Sequence, residues 1–430
     1  MRKELKIAII GSGSTYTPEI IEGFINKKDS LPLRKLYLMD IDSRKLNIVG
    51  NLCKRMVEFA KLDCEVVLTQ NLDEALEGAD FVLAQIRVGK LPARVLDEKI
   101  PLKYNLIGQE TNGIGGFFKG LRTIPVILEI TKKMEKLCPD AWLINFSNPA
   151  GMITDAVLNH SKIKMLGLCN VPLNMIDSLK KRLGLQSAQV EYVGLNHLSW
   201  VTSIVSDGKD YLQTAIKEGI NSEAMKNIPA SGFTPELIKT VGAIPSSYLE
   251  YYYYKDHKLE NAKNAEKCRG EVCMGIEENL LEIYSDSEVH VKPELLGKRG
   301  GSRYSEVAIN LVDSIYNDRG DVQVVNCLNN GAIPFMADND AIEISAIIDK
   351  DGAHPIKANF ENDHIKEYML MMKAYEKHAI NAAINGDEDE AVRALLINPL
   401  VGDYKSFYPC FKELLEVHKE YLPNFFKGEK

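Results

Sequence analysis

The chain has 430 residues, 45% hydrophobic and 26% charged, with a formal net charge of −8. This length and composition are typical of a globular protein large enough for two domains. The negative charge argues against a nucleic-acid groove, although local arginines can still bind anionic metabolites. No apolar run approaches the roughly 18 residues of a membrane helix, and residues 1–5 lack a signal-peptide pattern. With eight scattered cysteines, we expect a reduced, cytoplasmic protein without nucleic-acid or membrane partners.

The first 170 residues alternate short apolar runs with amphipathic stretches, which predicts a parallel sheet covered by helices. Strands are expected at 6–10, 34–39, 64–69, 80–86, 141–146 and 164–168. Helices are expected at 18–27, 46–61, 119–137 and 150–160. Pro18 stands in the first turn of its helix, the position that proline favours.

After residue 172 the pattern becomes mixed α+β. Strands are expected at 190–193 and 198–205, a helical stretch from about 211, a tyrosine-rich segment at 248–254, and helices at 270–284, 303–317, 363–385 and 387–396. Residues 336–358 contain no interpretable motif. We predict an α/β fold with a Rossmann-like dinucleotide-binding domain at 1–170. An α+β domain for substrate binding, catalysis and oligomerisation would follow at 171–430.

A glycine turn directly after the first strand indicates dinucleotide binding. The run Gly11-Ser12-Gly13-Ser14 suits a tight turn and a close approach to a pyrophosphate at a helix N-terminus. Tyr16 takes the place of the usual third glycine. Asp40, at the end of the next strand, is placed to accept hydrogen bonds from ribose hydroxyls and favours NAD over NADP. The alternative is a helix-start turn with a solvated aspartate.

A thiol and an imidazole follow later strands. Cys169 follows the strand at 164–168, at the edge where open α/β sheets bind ligands, and His197 lies between the next two strands. If both bound a metal, two protein ligands would leave positions open for substrate oxygens. A core cysteine and a structural histidine remain the alternatives.

Several sequence motifs together resemble those of one known family. They are Ile10-Gly11-Ser12-Gly13-Ser14 with Pro18, Ile86-Arg87-Val88-Gly89, Gly108-Gln109-Glu110-Thr111, Asn145-Phe146-Ser147-Asn148-Pro149, Cys169-Asn170-Val171-Pro172, Gly194-Leu195-Asn196-His197 and Asn330-Gly331-Ala332-Ile333-Pro334. Over essentially its whole length the chain resembles the NAD- and manganese-dependent glycosidases of glycoside hydrolase family four, and within them the 6-phospho-β-glucosidases.

The resemblance implies a malate/lactate-dehydrogenase-like fold and hydrolysis of 6-phospho-β-glucosides to glucose 6-phosphate and an aglycone. The reaction would run through NAD-mediated C3 oxidation, C2 deprotonation, elimination, water addition and return of the hydride. The substrate would be a phosphorylated disaccharide or aryl glucoside. Family likeness also implies a homodimer or homotetramer.

The resemblance further implies roles for individual residues. Cys169 and His197 would hold Mn²⁺ or another divalent metal. Tyr248 would be the general base, with Tyr251 and its neighbours as alternatives, and Glu110 would lie near the base and tune its basicity. Three residues would bind the 6-phosphate and the sugar: Arg94, Asn148 and Arg269.

Asn170 bears on the anomeric preference. Family members that act on α-linked substrates typically carry an aspartate directly after the metal cysteine, whereas an asparagine cannot donate a proton as an acid. Position 170 therefore favours β-linked substrates. A 6-phospho-α-glucosidase or another family-four glycosidase is the alternative within the family. A malate- or lactate-like 2-hydroxyacid dehydrogenase, with His197 as base and no metal, is the more distant one.

Overall fold

The computed structural model describes residues 4–220, 232–299 and 303–427. The strands are β1 (Leu5–Ile10), β2 (Leu33–Met39), β3 (Glu65–Thr69), β4 (Phe81–Ala84), β5 (Trp142–Asn145), β6 (Lys164–Gly167), β7 (Gln189–Leu195), β8 (Leu198–Ser206), β9 (Lys209–Asp210), β10 (Ile244–Pro245), β11 (Asp321–Leu328), β12 (Ala341–Asp349) and β13 (Gly352–Pro355). The helices are α1 (Thr17–Asn26), α2 (Ser43–Phe59), α3 (Leu72–Leu76), α4 (Lys90–Lys99), α5 (Gly113–Leu137), α6 (Ala150–His160), α7 (Val171–Leu183), α8 (Leu212–Lys217), α9 (Pro235–Val241), α10 (Glu250–Tyr253), α11 (Lys255–Asn264), α12 (Arg269–Ser285), α13 (Leu296–Arg299), α14 (Tyr304–Asn317), α15 (Asp363–Asn385), α16 (Glu388–Ile397) and α17 (Tyr404–Val417).

Strands β1 to β6 form a parallel sheet half in the spatial order β6-β5-β4-β1-β2-β3. The central strands β4 and β5 are buried along their whole length, as expected for a sheet covered by helices on both faces. Pro18 stands in the first turn of α1. These observations confirm the predicted Rossmann-like arrangement.

The same sheet continues beyond β6 as an antiparallel half, in the order β6-β11-β12-β7-β8-β10. Strand β11 joins β6 through the pair Asn326 and Gly167. Residues 336–358, for which the sequence offered no interpretation, contain β12 and β13. One sheet therefore runs through both predicted segments, and the boundary at 170/171 stays a prediction.

Helix α5 begins six residues before the predicted start at 119, at Gly113. The glycine-rich start of the helix permits close packing. A Cβ on Gly115 would lie 2.8 Å from the main-chain oxygens of Asp97 and Gln109, so only glycine fits. The helix then passes through the core, where Phe117 and Phe118 are fully buried. Among the helices that the structure describes, none is long and apolar enough to cross a membrane.

Candidate active site

A cavity of about 1060 Å³ lies where strands β1, β2, β4, β5 and β6 end, the edge at which open α/β sheets bind ligands. Ten of the predicted site residues line it: Gly11, Gly13, Ser14, Asp40, Arg94, Glu110, Asn148, Asn170, Tyr248 and Arg269. Three predicted residues lie behind the lining. Ser12 is fully buried within the glycine turn, and Cys169 and His197 are buried beside Tyr248.

The glycine turn after β1 leaves room for a cofactor. Gly11 has a φ of +87°, and a Cβ there would lie 2.9 Å from the main-chain oxygen of Gln85. The N–H of Gly13 donates to Asp40 Oδ2 at 2.8 Å, and the N–H of Asp42 donates to Asp40 Oδ1 at 2.8 Å. Asp40 therefore braces the turn, and its remaining lone pairs face the cavity that it lines. The bare backbone of the turn fits a dinucleotide pyrophosphate.

Cys169 and His197 meet in the fold as two ligands of one metal would. Cys169 Sγ lies 3.6 Å from His197 Nε2. The other ring nitrogen, Nδ1, lies 2.6 Å from Thr111 Oγ1. Since the Thr111 hydroxyl donates its proton to Gln109 Oε1, it accepts from Nδ1–H, and the lone pair on Nε2 faces the sulfur.

The protonation states of this pair also suit a metal. Burial lowers the pKa of His197 to about 3, which keeps the imidazole neutral as a metal ligand requires. Burial and the nearby charge of Glu343 raise the pKa of the Cys169 thiol, whereas hydrogen bonds from Val171 N–H and the Asn196 side chain favour the thiolate. Within residues 4–220, 232–299 and 303–427, no three His, Cys, Asp or Glu side chains form a metal-binding cluster. The pair would therefore supply two ligands and leave further coordination positions open.

Tyr248 covers the imidazole. Its ring stacks on that of His197 with centroids 3.7 Å apart and an interplanar angle of 10°. The Tyr251 ring lies one layer further out, 6.4 Å from that of Tyr248. Burial raises the pKa of Tyr248 well above its usual value, and the nearby charge of Glu110 raises it further, while Arg94 opposes both. Additional positive charge would therefore be needed to stabilise a Tyr248 phenolate.

Glu110 is the centre of a buried charge cluster. Its Oε1 pairs with Arg87 at 2.6 Å and with Lys119, and its Oε2 pairs with Arg94 at 2.8 Å. Burial alone would raise the pKa of Glu110, but the three cations hold it well below its usual range. Burial, together with the charge of Arg87, lowers the pKa of Lys119 to about 7. With Glu98 also paired to Arg94, three basic side chains face two carboxylates, and the small excess of positive charge makes this wall of the cavity attractive to anions.

The predicted substrate-binding arginines are held in place by the protein. Arg94 Nε donates to Glu98 Oε1 at 2.7 Å, and Nη1 pairs with Glu110 Oε2 at 2.8 Å and lies 3.9 Å from Cys273 Sγ. Arg269 begins α12 and donates from Nη2 to the main-chain oxygens of Lys298, at 3.1 Å, and Arg299, at 2.7 Å. Both guanidinium groups are thus oriented before any ligand binds.

Sequence reasoning missed three residues that surround the metal-ligand pair: Thr111, Lys119 and Glu343. Lys119 could have been noticed in the sequence, because this lysine directly follows the apolar pair Phe117 and Phe118. In the structure all three side chains are buried in α5, and Lys119 is only 4% exposed. Glu343 gave none, since it lies in the uninterpreted segment 336–358. Its carboxyl is buried, and burial raises its pKa to about 7.

Comparison with known proteins decides the family. The sequence profile "Family 4 glycosyl hydrolase" matches residues 6–185, and the profile of the family's C-terminal domain matches residues 192–401. The chain belongs to glycosyl hydrolase family 4. A family-4 relative, a probable 6-phospho-β-glucosidase of Bacillus subtilis strain 168, is 46% identical over 437 aligned positions that cover 99% of each chain. The resemblance inferred from the sequence motifs is thereby confirmed.

Solved structures agree with this assignment. The 6-phospho-β-glucosidase of Thermotoga maritima, solved with manganese, NAD⁺ and glucose 6-phosphate, superposes on the family-4 chain with a TM-score of 0.89. It is 33% identical and is matched over 99% of its length and 97% of this chain. A lactate dehydrogenase of Eimeria maxima, 16% identical with a TM-score of 0.53, shares the fold alone. The predicted dehydrogenase-like fold class is confirmed.

Proposed function

We propose that this chain hydrolyses 6-phospho-β-glucosides to glucose 6-phosphate and an aglycone, with NAD and Mn²⁺ as cofactors. One observation carries the proposal. The Cys169–His197 pair, with Sγ and Nε2 3.6 Å apart, lies directly under Tyr248 at the wall of a dinucleotide-sized cavity. A 2-hydroxyacid dehydrogenase would have no use for the thiol. The named activity of the Bacillus subtilis and Thermotoga maritima relatives supports the same substrate class.

The cofactors would be held by residues on two sides of the cavity. Gly11 to Ser14 would hold the pyrophosphate, Asp40 the ribose, and Cys169 with His197 the metal. When bound, NAD supplies reversible hydride chemistry at C3 of the sugar, and Mn²⁺ supplies Lewis-acid polarisation of the C3 ketone. Because NAD returns to its starting state in each cycle, it is a recycled catalyst.

Tyr248 would remove the proton from C2. The stacking of its ring on that of His197, and its place in the cavity lining, support this role. Burial disfavours the phenolate, so Arg94 and the divalent cation would have to lower the Tyr248 pKa. Glu110, which raises that pKa, would make the phenolate a stronger base once it has formed.

Arg94, Asn148 and Arg269 would bind the phosphate and the sugar. All three line the cavity, and the cation-rich surroundings of Glu110 form part of the same wall. Preset guanidinium groups suit a phosphate, since a fork of N–H donors matches its oxygens. Phosphorylated sugars are therefore favoured over plain glucosides.

Asn170 favours β-linked over α-linked substrates. It lines the cavity directly after Cys169, where an acidic side chain could protonate a leaving group, and its amide cannot serve as an acid. Departure of a β-linked aglycone would be assisted by another group, such as water. An α-specific enzyme is the second candidate.

We further propose that 1–170 mainly binds the cofactor and that 171–430 supplies catalysis and oligomer contacts. Exposed apolar side chains on the outer face of β11 to β13 support a homodimer or homotetramer. Val322, 58% exposed, and Ile347, 41% exposed, are direct cross-strand neighbours there. Scattered free cysteines support a cytoplasmic setting.

Hydrolysis of p-nitrophenyl 6-phospho-β-glucoside and of its α-anomer would test the function, with NAD and Mn²⁺ each present or omitted. We expect turnover of the β-anomer only when both cofactors are present. Turnover of the α-anomer would retain the family chemistry and overturn the role of Asn170. Accumulation of NADH on a 2-hydroxyacid, with neither glucoside cleaved, would overturn the proposal.

A further inference from the structure

A buried carboxylate stands behind the two metal ligands. Glu343 lies in the middle of β12 and is 1% exposed. In the sheet it is directly opposite Asn326 of β11 on one side and Gly194 of β7 on the other. Gly194 opens the Gly194-Leu195-Asn196-His197 motif, so the residue paired with Glu343 lies two residues before Asn196 and three before His197, in the turn that follows β7.

The partners of Glu343 are amides and hydroxyls. Oε1 accepts from Asn196 Nδ2 at 2.9 Å and from Asn326 Nδ2 at 3.2 Å. The hydroxyls of Ser199 and Tyr192 hydrogen-bond the same carboxyl group. A carboxylate buried among neutral partners costs free energy unless positive charge lies nearby. A divalent cation on Cys169 and His197 would supply that charge.

Asn196 connects the carboxylate to the sulfur. An amide nitrogen carries two hydrogens. One of them points to Glu343 Oε1, and the Asn196 side chain also hydrogen-bonds the Cys169 thiol. The main-chain N–H groups of Asn170 and Val171 donate to the same sulfur. These contacts orient Sγ towards His197 Nε2.

We propose that Glu343 is a positioning residue for the metal site: it fixes the Asn196 amide so that the Cys169 sulfur faces His197. This inference rests on the proposed function, which supplies the metal. Glu343 contacts neither the sugar nor NAD in this scheme, and its hydrogen-bond connection to the metal ligands runs through Asn196. Loss of the carboxylate should therefore weaken metal binding while leaving the dinucleotide turn unchanged.

Mn²⁺ binding to the full-length protein, followed by the paramagnetic resonance signal of free Mn²⁺, tests the proposal directly. Glutamine keeps an acceptor oxygen for Asn196 but loses the charge that strengthens the hydrogen bond. We therefore expect the Mn²⁺ dissociation constant of Glu343→Gln to rise about tenfold, the lower end of the range typical when a partner of a metal ligand is lost. The NAD dissociation constant should not change. Turnover should recover to within a few-fold of the unchanged protein at saturating Mn²⁺, which a merely destabilised fold would not show.

Two further variants separate positioning from folding. Asp313→Asn removes another carboxylate that is 1% exposed, on α14, and should leave Mn²⁺ affinity unchanged. Asn196→Ser removes the connection altogether and should weaken Mn²⁺ binding at least as much as Glu343→Gln does. The double variant should then be no weaker than Asn196→Ser alone, since both changes affect one chain of contacts.

The outcomes separate this inference from the proposed function. If the unchanged protein and Glu343→Gln bind Mn²⁺ equally, the positioning role is overturned and the function stands. If Glu343→Gln fails to fold, unchanged Mn²⁺ affinity in Asn196→Ser overturns it equally. If the unchanged protein does not bind Mn²⁺, the proposed metal site is overturned, and the role of Glu343 with it.

Discussion

The turn after β1 and the turn between β7 and β8 both bring positive-φ backbone to the site, but different forces hold them. Gly11 reaches a φ of +87° without a side chain to clash, and its N–H donates to Met39 of the adjacent strand at 2.9 Å. His197 reaches a φ of +66° with a full imidazole, a conformation that costs free energy for residues other than glycine. Its ring is held by Thr111, 86 residues away in the chain, and by Tyr248.

The comparison shows that the turn after β1 depends on its own residues and the adjacent strand ends. The turn between β7 and β8 depends on contacts from several distant parts of the chain. The glycine turn needs suitable residue types in a row and the ends of the two strands beside β1, which are β2 and β4. The His197 turn needs contacts from the segment before α10, the segment before α5, and β12. We therefore expect substitutions around His197 to abolish turnover while leaving NAD binding unchanged. Substitutions at Gly11 should weaken NAD binding while leaving turnover at saturating NAD nearly unchanged.

Replacing Cys169 should have the largest effect. In Cys169→Ser the thiolate ligand is lost, so we expect Mn²⁺ affinity and turnover to fall by more than about a hundredfold, beyond what loss of a supporting contact causes. Isothermal titration with Mn²⁺ and with NAD checks both halves of the comparison. Cys53→Ser, at another fully buried thiol on α2, is the matched control. Full activity of Cys169→Ser with added Mn²⁺ would contradict the metal assignment.

Replacing Tyr248 should remove proton transfer but not cofactor binding. We expect Tyr248→Phe to lower turnover by about 10²- to 10⁴-fold, the usual contribution of a general base, and to abolish deuterium exchange at C2 in heavy water. Tyr251→Phe, one stacking layer further from His197, should retain exchange. Exchange that persists in the first variant and disappears in the second would move the base to Tyr251.

Replacing Arg269, which is held by the main chain of Lys298 and Arg299, tests its role in binding the 6-phosphate. Since a hydrogen bond to a charged group contributes about 1.5–3 kcal/mol, Arg269→Gln should raise KM for 6-phospho-β-glucosides by about tenfold to a hundredfold. KM for unphosphorylated glucosides should hardly change. Arg393→Gln, an exposed arginine paired with Glu390, controls for the loss of charge. Equal increases for both substrate types would exclude Arg269 from the phosphate site.

Gly11 should show the smallest effect on turnover. In Gly11→Ala the positive φ costs about 1–3 kcal/mol, and the new methyl group would crowd the main chain of Gln85. We expect a lower Tm and weaker NAD binding, with kcat at saturating NAD nearly unchanged. Gly78→Ala has a φ of +66° but open space around it, so it should lower Tm without affecting NAD. Weakened Mn²⁺ binding in Gly11→Ala would contradict the expectation that the two turns support NAD binding and metal binding independently.

The same division explains what could be predicted from the sequence. The parallel strands, Pro18 and Asp40 were predictable because periodicity and turn chemistry act over short distances. The start of α5 was not, because Gly115 and Gly116 are unfavourable helix formers that the close approach of neighbouring main chain demands. Nor was Glu343, because an acidic residue within apolar β12 becomes interpretable only when strand pairing brings Asn196 beside it.

The continuous sheet limits how ligands can enter and leave the cavity. Strand β11 is joined to β6 by the Asn326–Gly167 pair, so rotating one half away from the other would tear the sheet. Ligands must therefore enter and leave past the helices and loops that border the cavity, whose lining includes Lys90, Lys258 and Tyr421. Such a rigid frame suits a cofactor that ends every cycle as it began. NAD can stay bound through many turnovers while the sugar substrate binds and the product leaves.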